Sequence, residues 1–406
     1  MNSPLRADYL IVGAGIIGLA VARELRSRFP RADILVIEKE AGVAFHGSGR
    51  NSGVLHAGFY YTADSLKARF TRDGNRLLKE YVKAKGLAIN ECHKVVVASD
   101  ESEVDGVREL QRRGERNGVE VRVIDEQELA EIDPNAKTTQ IALYSPSTAT
   151  VDPVQVCHAV REDLAAAGVR FLFGHGYLRR QGDSAVVTTG GTVVEAGLII
   201  NAAGLYADRI ARDYGFSHDY TIIPFKGIYL KYTGADRPVR TNIYPVPNLK
   251  NPFLGVHYTV TVDGTVKIGP TAIPAFWRQN YRGLEHFSTS ELVETIGWES
   301  RLFLSDSFGF RGLALGELKK YHRAYFTGLA TKMVRQIDTT GFNQWSRPGI
   351  RAQLLNTRTR ELVMDFVVEG DRRSVHILNA VSPAFTCSFP FAAWVVEHHI
   401  NKEQQP

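Results

Sequence analysis

The chain has 406 residues, 44% of them hydrophobic and 23% charged; this length and composition predict a two-lobed globular protein and exclude a disordered or fibrous one. A formal charge of +5 and an isoelectric point near 9.0 favour anionic small molecules or acidic lipid. Without a dense Lys/Arg tract, that charge speaks against nucleic acid. Cys92, Cys157 and Cys387 match neither a disulfide framework nor a metal motif, and read as small buried apolar residues in a reducing compartment. With no secretory leader and no apolar run of about 18 residues, no transmembrane segment is expected and the expected address is cytoplasmic.

The first segment, "DYLIVGAGIIGLAVARELRSRFPRADILVIEKE", predicts strand, tight turn, helix and strand. Tyr9 to Val12 form a short apolar run suited to a buried parallel strand. Gly13, Gly15 and Gly18 then supply G-x-G-x-x-G, and Ile17, Ala20, Val21 and Leu25 follow at helical spacing. The three glycines differ in what they allow. Gly13 permits the turn, Gly15 lets a pyrophosphate reach the backbone, and Gly18 allows close helix–strand packing. The pyrophosphate would sit on the helix N-terminus over Ile16 and Ile17. Glu38, 20 positions beyond Gly18, closes the second strand and can accept bonds from a ribose hydroxyl. An acid there favours FAD or NAD over NADP; this turn alone does not choose between the first two.

Next comes "GSGRNSGVLHAGFYY" (47–61), which has neither helical nor strand periodicity. It is no nucleophile elbow, because neither Ser48 nor Ser52 has glycine at both −2 and +2, and no Walker lysine follows. An irregular polar loop with exposed N–H groups suits a second pass along a phosphate-bearing cofactor, and its glycines let the backbone approach a flat ring. Beyond it, "ECHKVVVASDESEVDGVRELQRRGERNGVEVRVIDEQELAEIDP" reads as a strand, a charged amphipathic helix and another strand. A helix over 154–167, a strand "VRFLFG", a hairpin "SAVVTTGGTVVEAG" and a strand "LIINAAG" follow, with Gly204 before a helix over Tyr206 to Tyr214. Antiparallel strands are expected in "YTIIPFKGIYLKYT" and "LGVHYTVTVDGTVKIGPT", the latter turning at Asp263–Gly264. Residues 300–326 read as packed helix carrying apolar and basic side chains, and an amphipathic helix runs through "FAAWVVEHHINKE".

The ADP-binding turn followed by "SGRNSGVLHAGFYY" resembles the D-amino-acid oxidase superfamily of FAD enzymes. Within it, the chain is most similar to the L-2-hydroxyglutarate oxidase/dehydrogenase family. The likeness continues through "VDPVQVCHAVREDLAAAGVRF", "IINAAGLYADRIA", "IPFKGIYLKY", "NPFLGVHYTVTVDGTVKIGPTAIPAFWRQNY" and "RPGIRAQLLN", about nine-tenths of the chain. The fold implied is α/β: a Rossmann-like FAD-binding domain of the GR2/D-amino-acid oxidase type, with a second α+β substrate domain built on an antiparallel sheet. The expected division gives 1–85, 151–217 and 345–406 to the FAD domain, and 86–150 and 218–344 to the substrate domain.

The resemblance implies non-covalent FAD held by Gly13, Gly15, Ile16, Ile17, Gly18, Glu38, Lys39, Ser48, Arg50, Asn51, Ser52, Gly53, Val54, Ala203 and Gly204. Near the C-terminus Ser382, Pro383, Ala384 and Thr386 follow the family pattern, whereas Phe385, Cys387, Phe389 and Pro390 replace smaller residues and put the substrate in question. It also implies oxidation of a 2-hydroxy acid by hydride transfer to flavin N5. A histidine suits removal of the hydroxyl proton, since it titrates near working pH. His56 follows the cofactor loop directly. His257 alternates with Leu254, Val256 and Tyr258, on the more polar face of its strand. Lys226 stands where the family usually has arginine, as a carboxylate anchor without the bidentate fork. Tyr60, Tyr61, Tyr258, Arg278 and Arg351 are further substrate candidates. Adjacent His398 and His399 point about 100° apart on a helix and make no metal site.

L-2-hydroxyglutarate is the expected substrate, with oxygen or a membrane quinone as acceptor and peripheral contact at the inner membrane face. An amino-acid oxidase, a glycerol-3-phosphate dehydrogenase and a non-catalytic dinucleotide-binding protein are the alternatives.

Overall fold

The computed structural model describes residues 3–63, 65–247 and 255–400. The chain divides into two compact units: Met1–Asn51, Pro153–Pro224 and Arg351–Pro406 form the first, and Ser52–Asp152 with Phe225–Ile350 the second.

The first unit is built on strand Leu5–Val12, which pairs in parallel with Ile34–Glu38 on one side and Val193–Asn201 on the other. Arg170–Phe173 extends the sheet beyond Ile34–Glu38, also in parallel. Val193–Asn201 serves two partners along its length. Its first half meets Ala185–Thr188 in an antiparallel hairpin, and its last three residues pair in parallel with Ser374–Asn379. The central strands are apolar on both faces because both are covered. Leu10, Val12, Leu35 and Ile37 pack with Val186, Val194, Ile199 and Ile210 on one side. Against the sheet lie helix Ile16–Arg28 and its neighbours Pro153–Ala166 and Ala384–His399. Residues 401–403, expected in that last helix, lie outside the described residues.

The second unit carries an eight-stranded sheet in the order Phe342–Trp345, Leu230–Tyr232, Val266–Gly269, His257–Val260, Asn242–Pro245, Lys94–Val97, Ile141–Ser145, Arg122–Asp125. Every neighbouring pair is antiparallel except Asn242–Pro245 with Lys94–Val97. The hairpin at Asp263–Gly264 closes as its sequence predicts, with Gly264 at φ +82° and its N–H bonded to the Thr261 carbonyl at 2.9 Å. One sheet face forms a core of Val95, Val97, Ile243, Val256, Tyr258, Val260 and Ile268 beneath Phe326 and Ala330 of helix Arg323–Thr331. The other face packs Val96 and Tyr244 against Phe59, Tyr60 and helix Val104–Arg116.

Residues 52–85 were expected with the first lobe, and here they pack with the second. Val54–Leu55 pairs with Ala149–Thr150, and Asn75 of helix Leu66–Ala84 donates to the Leu55 and Ser147 carbonyls at 2.9 and 3.1 Å. These partners lie about 20 and 70 residues away, which local patterning does not encode.

Candidate active site

In the first unit the strand–turn–helix forms a cradle whose shape depends on its glycines. Gly13 lies at φ +105°, and a Cβ on it would stand 2.7 Å from the Ala202 carbonyl oxygen. A Cβ on Gly18 would meet the Gly13 carbonyl oxygen at 2.0 Å, so helix and turn touch with no room for a side chain. Glu38 turns into the cradle, its carboxylate accepting from the Ala14 and Glu40 N–H groups at 2.8 and 3.0 Å. Burial raises its pKa, and those two N–H bonds pull it back down. The glycine-rich loop reaches the same turn: Ser48 Oγ accepts from the Ile16 N–H at 2.8 Å, meeting the first open donor of the helix. Asn51 folds the loop by donating to the Gly47 and Ser48 carbonyls, and Arg50 Nε donates to Phe45 O at 2.6 Å. Lys39 is paired with Glu40 at 2.8 Å. Gly204 adopts φ +55° beside open space.

Ala384 and Thr386 begin the last helix behind Pro383, with Ser382 exposed just before it. The bulky Cys387 and Phe389 are buried helix-packing residues, and Arg23 of helix Ile16–Arg28 lies 4.4 Å over the Phe389 ring. Packing between two helices thus accounts for the bulk at Phe389.

The second unit gathers a different set. His56 leaves strand Val54–Leu55, and its Nδ1 lies 3.3 Å from Nζ of Lys94, a residue with no solvent exposure. Register places the rest. Asn242 is opposite Lys94, Tyr244 is opposite Val96, and Ile243 is opposite Tyr258, so Lys94, Tyr244 and His257 share one sheet face. Tyr244 and His257 stack with centroids 3.7 Å apart. The Lys94 ammonium position lies 4.0, 5.2 and 5.8 Å from the Tyr244, Tyr60 and Phe59 ring centroids. The main chain beneath is pinned by Asn117, which donates to the Gly58 and Tyr61 carbonyls at 3.0 Å each. Tyr60 Oη is buried with no hydrogen-bond partner among the described residues.

His257 sits on the expected face, but that face is buried as well (3% exposed). Its strand neighbour Leu254 lies outside the described residues. Burial, reinforced by the Lys94, Lys267 and Lys320 charges against a bond to the Gly255 carbonyl, lowers His257 to about 3. A histidine in the unfolded chain titrates near 6.5. The unfolded chain therefore binds a proton that folded His257 refuses as pH falls from about 6.5 to 3, and stability drops by up to about 1.4 kcal/mol per pH unit there. His46 and His376, lowered to about 4 by burial, act in the same direction. Urea midpoints measured across this range should fall less steeply for His257→Gln than for the unaltered chain.

Other expected substrate residues are placed differently. Tyr258 points to the opposite face from His257, into the core against Phe342. Arg278, 1% exposed, holds Glu294 at 3.5 Å while its own N–H donates to Glu291 at 3.0 Å. Lys226 is buried, donates to Asn280 Oδ1 at 3.2 Å, and has its pKa lowered by burial. Tyr61 is half-buried with the Lys67 ammonium 5.9 Å from its ring, and Arg351 lies in the first unit. Sequence reasoning missed Lys94. Its signal was a lysine opening the run "KVVV", at the same strand parity as buried Val96.

A family model described as FAD dependent oxidoreductase matches residues 8–398. The chain belongs to this family. L-2-hydroxyglutarate dehydrogenase of Escherichia coli is 33% identical over 401 residues, covering 96% of this chain and 92% of that one. The mitochondrial L-2-hydroxyglutarate dehydrogenase of Homo sapiens is 34% identical, covering 96% and 88%. Among solved structures, FAD-bound L-alpha-glycerophosphate oxidase from Mycoplasma pneumoniae has the same fold at TM-score 0.75 and 21% identity, covering 96% and 94%. Glycine oxidase from Geobacillus kaustophilus does so at 0.71 and 19%, covering 97% and 94%. The expected α/β flavoprotein fold is therefore correct.

The cradle fits FAD on its own geometry. A helix N-terminus behind bare glycine backbone would receive a pyrophosphate, and Glu38 at the strand end would face a ribose. Cys92, Cys157 and Cys387 are buried, and none is in a disulfide among the described residues. Among the described residues no His/Cys/Asp/Glu cluster could hold a metal ion, and no helix is long and apolar enough to cross a membrane.

Proposed function

We propose that this flavoprotein oxidises L-2-hydroxyglutarate to 2-oxoglutarate. The observation that carries this reading is likeness, at 33–35% identity over about 96% of the chain, to dehydrogenases named for that substrate. FAD, when bound, would supply the hydride acceptor for the substrate carbon. His56 Nε2 takes the hydroxyl proton, and its main chain is held on both sides by the Asn75 and Asn117 amides. Lys226 gives a carboxylate one point charge, held in place by Asn280. Lys267, which burial lowers to about 8, is a second cation on the His257 face, opposite Thr259. Two separated cations suit a dicarboxylate better than an amino acid, whose ammonium they would repel.

For the electron acceptor, the favoured reading is a quinone met at the cytoplasmic face of a membrane. Leu304, Leu315 and Leu318 are exposed on helices Thr289–Ser305 and Phe310–Lys319, beside Arg311 and Lys319, a pairing that suits an acidic lipid surface. The test is anaerobic mixing of the purified yellow protein with a panel of 2-hydroxy and 2-amino acids. Bleaching by L-2-hydroxyglutarate alone is the expected result, and bleaching by an amino acid or glycerol 3-phosphate instead would overturn the substrate. Reoxidation of the bleached protein should be faster with a short-chain quinone than with air; the reverse order makes it an oxidase.

A further inference from the structure

Lys94 is a lysine without a carboxylate. Its side chain is wholly buried, and among the described residues no Asp or Glu pairs with it. Its polar contact is His56 Nδ1 at 3.3 Å. The groups facing it are His56, Tyr60 and Phe59 from the loop, Tyr244 from the adjacent strand, Cys92 two residues back, and the charge of His257. Cys92, Tyr60 and Tyr244 all have their pKa values raised by burial and stay neutral. Burial favours the amine, while three ring faces favour the ammonium. Burial, offset in part by Cys92, lowers Lys94 to about 7.

The protonation of Lys94 decides what His56 can do. An ammonium must donate to Nδ1, which puts the neutral ring's proton on Nε2 and leaves no lone pair there to act as a base. A neutral amine can accept from Nδ1–H, which frees the Nε2 lone pair. We propose that Lys94 is the proton acceptor behind His56, so that the substrate hydroxyl proton goes to His56 Nε2 as the Nδ1 proton passes to Lys94 Nζ. This rests on the assignment of His56 as base.

The step balances. The O–H bond breaks and Nε2–H forms; Nδ1–H breaks and Nζ–H forms. The substrate's C–H electron pair leaves as hydride to the enzyme's FAD, and the O–H pair closes the carbonyl. The new ammonium then lies in the aromatic cage, and after product leaves its proton returns through the same ring. Lys94 acts through His56, so it is a positioning residue for the proton.

Three variants test this in the holoenzyme: Lys94→Met, Lys94→Arg and His56→Asn. Anaerobic flavin reduction is followed against pH, alongside histidine ring 15N shifts without substrate, with the His56 signals assigned by their loss in His56→Asn. Lys94→Met should reduce flavin on the order of 10² times more slowly, lose the rise in rate that accompanies Lys94 deprotonation, and leave KM within about twofold. Lys94→Arg, which keeps charge and bulk but cannot accept a proton, should be equally slow. The 15N spectra should place the His56 proton on Nδ1 at pH 8 in the unaltered protein and on Nε2 in Lys94→Arg. The arginine variant also keeps the test decisive if Lys94→Met fails to fold. Wild-type reduction by Lys94→Arg, or a His56 tautomer that it leaves unchanged, overturns the relay while His56 stands as base. Wild-type reduction by His56→Asn overturns the base assignment and the relay with it.

Discussion

Asparagine in place of His56 is expected to slow flavin reduction by the hydroxy acid by about 10²- to 10⁴-fold, the usual contribution of a positioned general base. FAD content and the thermal midpoint should stay near those of the unaltered chain. The expectation follows from how the loop is held. The carbonyls of Leu55 and Gly58 are taken by Asn75 and Asn117, so the main chain around position 56 does not depend on the histidine ring. Asparagine keeps a polar group near Lys94 but has no basic nitrogen. Loss should therefore appear in the reduction rate more than in KM. Stopped-flow bleaching at saturating L-2-hydroxyglutarate measures it. A variant that keeps its yellow colour and bleaches at the original rate would remove His56 from the chemistry.

The second large effect belongs to Gly18→Ala. The new methyl would lie 2.0 Å from the Gly13 carbonyl oxygen, and both atoms are main-chain or main-chain-attached, so neither can rotate away. Either the helix Ile16–Arg28 lifts from its strand or the turn opens, and each spoils the surface expected to receive the pyrophosphate. A purified variant with little bound flavin is expected, together with about 1–3 kcal/mol of lost stability. Added FAD should raise its melting temperature far less than that of the unaltered protein, because stabilisation by a ligand follows its affinity. Gly168→Ala is the control. That residue has φ +81° with nothing near its Cβ position, so the cost is backbone strain of about 1 kcal/mol and FAD is retained. If Gly18→Ala copurifies with full flavin, the close contact is not what shapes the cradle.

Local grammar carried much of the fold. The βαβ turn, the Asp263–Gly264 hairpin and the alternation that puts His257 opposite in parity to Tyr258 are all short-range signals, and all appear in the structure. What alternation could not show is that both sheet faces are covered. His257 therefore lies under Tyr244 instead of in a wet groove, and Tyr258 is core. Register between distant strands was equally invisible. Lys94 meets Asn242 and Tyr244 some 150 residues away, and only that pairing turns a lysine in a valine run into a neighbour of His56. Arg278 looked like a substrate cation because its partners Glu291 and Glu294 belong to a helix that begins later in the chain. The boundary expected at residue 85 shifted for a similar reason, since two side-chain amides and a two-residue strand tie 52–85 to sequence far downstream.

Strand Val193–Asn201 lies between the two ends of the chain, beside Leu5–Val12 on one flank and Ser374–Asn379 on the other. A ribosome makes these in order, so the first strand waits for roughly 180 further residues before its central partner exists, and that partner waits about as long again for its own. All of Ser52–Ile350 has emerged by then. The second unit can thus complete its sheet while the first unit's sheet still lacks an edge, and helix Ala384–His399, which covers the first helix, follows both. Until that helix follows, the growing chain exposes an apolar parallel strand in an unfinished sheet. Loss of the final thirty or so residues would leave the nascent protein in that state permanently.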